Sequence, residues 1–95
     1  MGKRVKTAKQ MERHLKGLAN HWRLLILLLL SEKQSLNLIL IAEGVGGNMK
    51  TIAEHTRKLA QAGLIEKRYR GRMVIHNLSP YGEHFVKFIK AFQNY

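Results

Sequence analysis

The sequence contains no cysteine and no aspartate, and each absence removes a class of function. Without cysteine there are no disulfides, thiolate metal sites or cysteine nucleophiles. The six acidic residues are all glutamates and are dispersed, with no Ser/His/acid arrangement and no phosphate-binding loop. We therefore predict neither catalysis nor a cofactor.

Long hydrophobic runs are also missing. The longest aliphatic stretch has seven residues, Leu24 to Leu30, whereas a helix needs about 20 to cross a bilayer. A helix that is apolar all round is buried on several sides, so this stretch, preceded by Asn20 as a cap, is predicted to form the core. The lack of any signal segment favours the cytoplasm.

Negative charge is scarce, whereas positive charge is abundant. Seventeen lysines and arginines against six glutamates give a net charge of +11 and a pI of about 10.5. The excess falls in two patches, residues 1–16 and 50–72, on either side of an apolar centre. Such an imbalance indicates polyanionic partners or a membrane surface.

The stretch from Ile41 to Ile65 predicts two helices joined by a glycine-rich turn. Apolar residues at positions 41, 42 and 45 have helical spacing, and glycines at 44, 46 and 47 end that helix. Asn48 is a suitable N-cap for a second helix, in which Ile52, Thr56 and Leu59 fall at i, i+4 and i+7. This pattern is typical of a helix-turn-helix.

The polar face of the second helix is the candidate recognition surface. A solvated face explains charged residues on any helix, but here a basic hairpin follows directly. The N-terminal part of the second helix enters the major groove when such a motif docks on DNA. The residues predicted to meet DNA from this helix, about residues 48–62, are Asn48, Met49, Lys50, Thr51, Glu54, His55, Arg57 and Lys58.

After the helix-turn-helix the period of the pattern changes. The runs LIEKRY and MVIHNL are rich in β-branched and aromatic residues and are separated by Arg70-Gly71-Arg72, which predicts a β-hairpin. A hairpin in this place is a wing, about residues 67–73, and we expect Arg68, Arg70 and Arg72 to contact phosphates or the minor groove. Before the helix-turn-helix, residues 36–38 are compatible with one short strand.

The first and last helices are predicted to carry apolar stripes. From Lys3 to Leu18, apolar residues step by three or four opposite a basic face. This stripe packs either on its own domain or on a second subunit; binding to an anionic membrane is disfavoured because the face lacks aromatic anchors. Ser79-Pro80 begins the last helix, whose aromatic stripe is typical of a core and is also the expected dimer surface. The predicted interface comprises Met11, Leu15, Phe85, Phe88, Ile89 and Phe92.

Several of these segments resemble ArsR-type winged-helix repressors. The segment 18–27, LANHWRLLIL, is similar to that family's second helix, and 41–46 is similar to its first helix-turn-helix helix and turn. The segments 51–55 and 58–65 are similar to its recognition helix and exit. Arg70-Gly71-Arg72 and Leu78-Ser79-Pro80 are similar to its wing and last helix. The resemblance covers nearly the whole chain from Leu15. It implies a mainly α fold with a small hairpin, in the order α-α-α-α-β-β-α.

The sequence departs from that family at three positions. Gly47 replaces an aliphatic residue and Thr56 a leucine, so we expect a looser turn. Glu54 stands where arginine is frequent; it either accepts from cytosine N4 or orients Arg57 or Lys58 by an ion pair.

The resemblance also raises metal sensing as a candidate function, but we do not expect it here. Family members often use cysteines or sets of histidine and aspartate on the last helix. Here that helix has only His84, and the adjacent Glu83 does not share its helix face. Histidines at 14, 21, 55 and 76 are scattered, whereas a metal site needs three or four convergent ligands.

The combined prediction is a single winged-helix domain spanning residues 1–95, with residues 1–6 as a flexible basic N-terminus. Its predicted function is sequence-specific binding of double-stranded DNA as a homodimeric transcription regulator. The alternative is a winged-helix module that docks a protein or RNA partner without sequence-specific DNA binding. The two differ in salt dependence, because a DNA binder loses affinity linearly in log–log with salt.

Overall fold

A computed structural model describes residues 5–95, and within that range it confirms the predicted order of helices and strands. The helices are α1 (Ala8–Leu18), α2 (His21–Glu32), α3 (Leu38–Val45), α4 (Met49–Gln61) and α5 (Pro80–Gln93), and the strands are β1 (Ile65–Arg70) and β2 (Met73–Leu78).

Side-chain caps set where the helices begin. Thr7 caps α1 through a capping box: its hydroxyl accepts from the Gln10 N–H at 3.1 Å, and the Gln10 side chain accepts from the Thr7 N–H at 2.9 Å. Because a cap of this kind stabilises a helix start by about 1 kcal/mol, α1 begins at Ala8. Val5, which the prediction placed inside the helix, therefore lies before the start of α1. Residues 1–4 of the expected flexible N-terminus lie outside the described residues.

The core is built around α2, as its aliphatic run predicts. This helix packs against α3, α4, α5 and β2. Full burial of one aliphatic side chain stabilises the fold by about 1.5–3 kcal/mol, so this cluster dominates the stability of the domain. Fully buried side chains at its centre are Ile26, Leu27, Leu30, Ile41, Ile52 and Leu59.

The hairpin has a two-residue turn, Gly71-Arg72, between the paired residues Arg70 and Met73. The register pairs positions 65, 67 and 69 with 78, 76 and 74, and since side chains alternate along a strand these six share one face. Arg68 and Arg70 share the opposite face. Both arginines belong to β1.

A single-residue bridge joins Leu36 to the other edge of β2, at His76. The Leu36 carbonyl accepts from the His76 N–H at 2.8 Å and from its ring Nδ1–H at 2.9 Å. Burial lowers the pKa of His76 below its ordinary value, and the Leu36 carbonyl opposes that shift. The compatible strand over 36–38 is reduced to this bridge because Asn37 caps α3 and Leu38 is already helical.

Candidate nucleic-acid interface

The turn between α3 and α4 is tightly packed. Gly46 ends α3 in the left-handed region at φ 72°, and the Asn48 side chain accepts from the Thr51 N–H at 2.9 Å at the start of α4. A Cβ on Gly47 would lie 2.6 Å from Cδ1 of Ile52 and 3.1 Å from Cζ3 of Trp22. The looser turn expected at Gly47 is therefore wrong, because neighbouring side chains already fill the space.

The two faces of α4 separate as the sequence predicts. Ile52, Thr56 and Leu59 are buried against the domain. Thr51 is half-buried. The predicted recognition residues that are exposed to solvent are Asn48, Met49, Lys50, Glu54, Arg57 and Lys58.

Of the two roles considered for Glu54, the structure contains the ion pair. Its carboxylate accepts from Arg57 Nε at 3.2 Å and from Arg57 Nη2 at 2.6 Å, and Lys58 Nζ lies 3.8 Å away. The hydrogen bonds from Arg57 lower the pKa of the Glu54 carboxyl, and they raise the pKa of Arg57. Both side chains are about half exposed, so the pair adds little to stability. Its effect is to hold the Arg57 guanidinium along the helix surface.

His55 does not lie on the exposed face with Lys50. It is partly buried, and its Nδ1 accepts from Arg23 Nε of α2 at 3.2 Å. Arg23 also donates through Nη1 to the carbonyl of Gly17 in α1. Burial lowers the pKa of His55, and the charge of Arg23 lowers it further. The groove-facing position predicted for His55 is corrected to a contact that joins α4 to α1 and α2.

The wing cations, Lys67, Arg68, Arg70 and Arg72, are all exposed. Arg68 and Arg70 lie on one face of the hairpin, Lys67 lies on the other, and Arg72 lies in the turn. Among residues 5–95, the ion pairs join Lys16 to Glu12 and Glu54 to Arg57 and Lys58, so no described carboxylate pairs with a wing cation.

Two exposed residues of the predicted wing, Lys67 and Tyr69, were not named among the DNA contacts predicted from the sequence. Tyr69 is 81% exposed, and it shares a face with Lys67. Strand alternation alone could have identified them, because β1 extends to Arg70 and places every second side chain on the same side.

A second exposed surface is apolar. The apolar face, formed by Met11 and Leu15 of α1 and Phe85, Phe88 and Phe92 of α5, leaves Phe88 58% and Phe92 69% exposed. The rings of Phe88 and Phe92 are stacked with centroids 6.2 Å apart. The prediction that Ile89 belongs to the same surface is wrong. Ile89 is 8% exposed and packs into the core, because it lies on the inner side of α5.

Neither a metal cluster nor a membrane span is found within the described part of the chain. Over residues 5–95, no three histidine or glutamate side chains converge. Over the same range no helix is long and apolar enough to cross a membrane. One histidine, His14, instead lies with its Nδ1 3.1 Å from the Tyr81 hydroxyl.

A helix-turn-helix followed by a two-stranded hairpin and a closing helix defines the winged helix-turn-helix class. No family model and no curated protein matches the chain. Among solved structures, it is similar to the homodimeric winged helix-turn-helix DNA-binding domain (fragment 1–100) of Mb0332 from Mycobacterium bovis, a possible ArsR-family transcriptional regulator. The identity is 30% and the TM-score 0.73, over 90% of this chain and 76% of that one. The chain belongs to the winged helix-turn-helix transcription regulators, and its resemblance to the ArsR type is confirmed.

More distant structures share the fold. HlyU from Vibrio cholerae has 20% identity and a TM-score of 0.77, over 93% of this chain and 97% of that one. The transcriptional repressor PagR of Bacillus anthracis has 21% identity and a TM-score of 0.73, over 83% and 91%.

Proposed function

We propose that the protein binds double-stranded DNA sequence-specifically as a homodimer and regulates transcription. The observation that carries the proposal is the set of exposed cations on α4 and on the wing that follows it, on a chain related to a homodimeric DNA-binding domain. A polyanion is the partner that such a surface attracts over long range.

The first turn of α4 is the part that reads bases. Lys50 is exposed in that turn, where helix-turn-helix recognition helices contact base edges, and Met49 and Thr51 flank it. Asn48 is committed to capping, so it positions the helix and leaves its N–H₂ group free for the duplex. A single lysine donating to guanine O6 or N7 contributes about 1–3 kcal/mol of discrimination.

The remaining cations position the protein on the backbone. Arg57 and Lys58 lie two turns further along α4, and Arg57 is oriented by Glu54. The wing cations extend this surface beyond the helix. Phosphate contacts of this kind fix register and orientation but carry no sequence information. His55 acts indirectly, by tying α4 to Arg23.

The apolar face is the proposed dimer interface. A domain of this size hides only about 60–65% of its unfolded surface, so clustered exposed rings are best covered by a partner. A two-fold axis through α1 and α5 would present two copies of α4 to one duplex about 34 Å apart, one helical turn.

The proposal is tested by selecting bound duplexes from a random pool and comparing the preferred site with random DNA across salt concentrations. We expect tighter binding to the selected site and a steep linear log–log salt dependence. Lys50→Ala should cost about 1–3 kcal/mol on the preferred site and relax base choice at one position.

Lys87→Ala is the matched control, because Lys87 is an exposed lysine of α5 outside the basic surface. Equal affinity for selected and random DNA at all salt concentrations would refute sequence-specific binding. It would favour the interaction module for a protein or RNA partner.

A further inference from the structure

One side chain, Arg23, connects three helices. It lies in the first turn of α2, where its Nε donates to His55 Nδ1 of α4 at 3.2 Å and its Nη1 donates to the Gly17 carbonyl of α1. The Asn20 side chain accepts from the Arg23 N–H at 3.4 Å, so the cap of α2 also holds the backbone that carries the guanidinium. We call this set of contacts, Gly17 to Arg23 to His55, the arginine link.

The arginine link joins the two helices between which the proposed function is divided. Helix α1 carries Met11 and Leu15 of the apolar face, the proposed dimer interface, and α4 carries Lys50, the proposed base contact. Two recognition helices fit one duplex only when their separation matches its helical turn. That separation depends on how α4 is held relative to α1, so the arginine link lies where the dimer geometry is passed to the DNA-binding surface.

The arginine link requires a neutral His55. Arginine has donors and no acceptor, so His55 Nδ1 must supply a lone pair, which places the ring proton on Nε2. A protonated imidazole also has donors only, and the two side chains would then face each other as cations without an acceptor. The end of α1 contributes an uncharged carbonyl to this site.

The surroundings of His55 favour the neutral form at neutral pH. Burial lowers the pKa of His55 below its ordinary value, and the charge of Arg23 lowers it further. Lys58 of α4 and His21 of α2 act in the same direction, whereas the charge of Glu54 opposes the shift.

We propose that Arg23 is a positioning residue for DNA binding and that the arginine link opens when His55 takes up a proton. Acidification then weakens DNA binding, because α4 is no longer held to α1 in the position that the dimer requires. Electrostatics alone gives the opposite direction, since an added positive charge strengthens attraction to a polyanion. This regulation rests on the proposed function; the arginine link and its response to protons do not.

The arginine link is tested first without DNA, by NMR of the ring nitrogens in the histidine-labelled full chain during a pH titration. Neutral His55 should carry its proton on Nε2, and its titration midpoint should lie below 6.5. Arg23→Met keeps a long unbranched side chain and removes every donor, so the midpoint should move up towards 6.5. A neutral His55 protonated at Nδ1 in the wild type would overturn the arginine link even if Arg23→Met failed to fold. A midpoint unchanged in folded Arg23→Met would overturn it as well.

DNA binding is then measured at constant salt on a duplex selected from the random pool. Between about pH 7.5 and about pH 5.5, wild-type affinity should fall about tenfold, because the closed link is favoured above 6.5 and is lost as pH drops through that value. Arg23→Met should bind at both pH values about as weakly as the acidified wild type.

Two histidine variants separate the arginine link from the other histidines. His55→Asn places an oxygen that accepts but does not titrate near the position of Nδ1, at a similar helix propensity, and it should lose most of the fall with pH. His21→Asn removes an exposed histidine of α2 and should keep the fall.

Equal pH dependence of the wild type and His55→Asn would refute the regulation, and so would wild-type binding that strengthens on acidification. A chain that shows the arginine link by NMR but binds no DNA at either pH refutes the proposed function and leaves the link standing.

Discussion

The basic surface of α4 and the wing and the apolar face of α1 and α5 are both exposed, but they differ in what can cover them. The charged side chains of the basic surface are hydrated, so exposure to water carries no free-energy cost for them. The stacked rings of the apolar face, Phe88 and Phe92, gain free energy from any partner that removes them from water. The basic surface is thus suited to a partner whose binding depends on salt. The apolar face is suited to a lasting contact that does not.

The largest effect is expected from substitutions in the apolar face. Changing Phe88 and Phe92 together to glutamine should give a folded monomer, because four rings of a dimer lose burial worth about 6 kcal/mol or more. DNA binding should weaken strongly with the loss of two-fold docking. Sedimentation at micromolar concentration measures the state of both proteins. Tyr69→Gln, which alters an exposed aromatic outside the apolar face, should remain dimeric, and a monomeric wild type would end the dimer proposal.

The next largest effect concerns the packing between the two surfaces. Gly82 allows α5 to pack closely against the junction of α4 and β1. A Cβ on Gly82 would lie 1.9 Å from the carbonyl oxygen of Leu64, which is backbone and cannot move aside without shifting the chain. Gly82→Ala should therefore destabilise the fold by about 3 kcal/mol in urea unfolding. Gly17→Ala in α1 is the control, since nothing lies within 4 Å of its Cβ position, and it should gain about 0.5–1 kcal/mol. Equal stability of the two variants would contradict the packing at Gly82.

A smaller effect is expected from substitutions in the basic surface, where the salt dependence of DNA binding is measured. Replacing Arg70 and Arg72 by alanine should weaken binding to all duplexes alike and reduce the log–log salt slope by about one unit per lost phosphate contact. The protein should remain dimeric, because neither residue lies on the apolar face. Lys90→Ala on α5 removes an exposed cation elsewhere and should leave the slope unchanged. An unaltered slope in the double variant would mean that the wing does not touch the duplex.

The smallest effect concerns the pH dependence of stability, which should differ between variants of His76 in the hairpin and of His84 in α5. Burial lowers the pKa of His76 in the folded state from 6.5, so the unfolded chain takes up its proton first as pH falls. Stability from this group is complete well above pH 6.5 and decreases as pH drops through 6.5. Urea midpoints at several pH values should fall less steeply for His76→Gln than for the wild type. His84→Gln, at an exposed position of α5, should follow the wild type, and a His76→Gln curve parallel to the wild type would contradict the assignment.

Local signals in the sequence were sufficient for most of the fold. Asn48 and Ser79 fix helix starts because each side chain accepts a hydrogen bond from the N–H three positions on, and Pro80 has a φ that suits the first helical position. These signals are local, so the sequence alone predicts them. The start of α1 was missed because Val5 fits the helical period of Ala8 and Met11, whereas the Thr7 capping box makes the helix begin only at Ala8.

Contacts between distant residues account for what the sequence did not predict. Arg23 and His55 are 32 positions apart, and no spacing rule connects them. Ile89 fits the same helical stripe as Phe85 and Phe92, yet the inner edge of that stripe packs on the core.

The two-residue turn at Gly71-Arg72 has a consequence for the thermodynamics of binding. Fixing the backbone of one flexible residue costs about 1–2 kcal/mol of conformational entropy, and a long wing loop would lose that amount many times over when it settled on a duplex. In this protein the strands pair up to Arg70 and Met73, so only the turn itself has backbone freedom left to lose. The wing is ordered before it meets its partner. If the wing contacts DNA as proposed, little backbone entropy opposes the contact between its arginines and the phosphates.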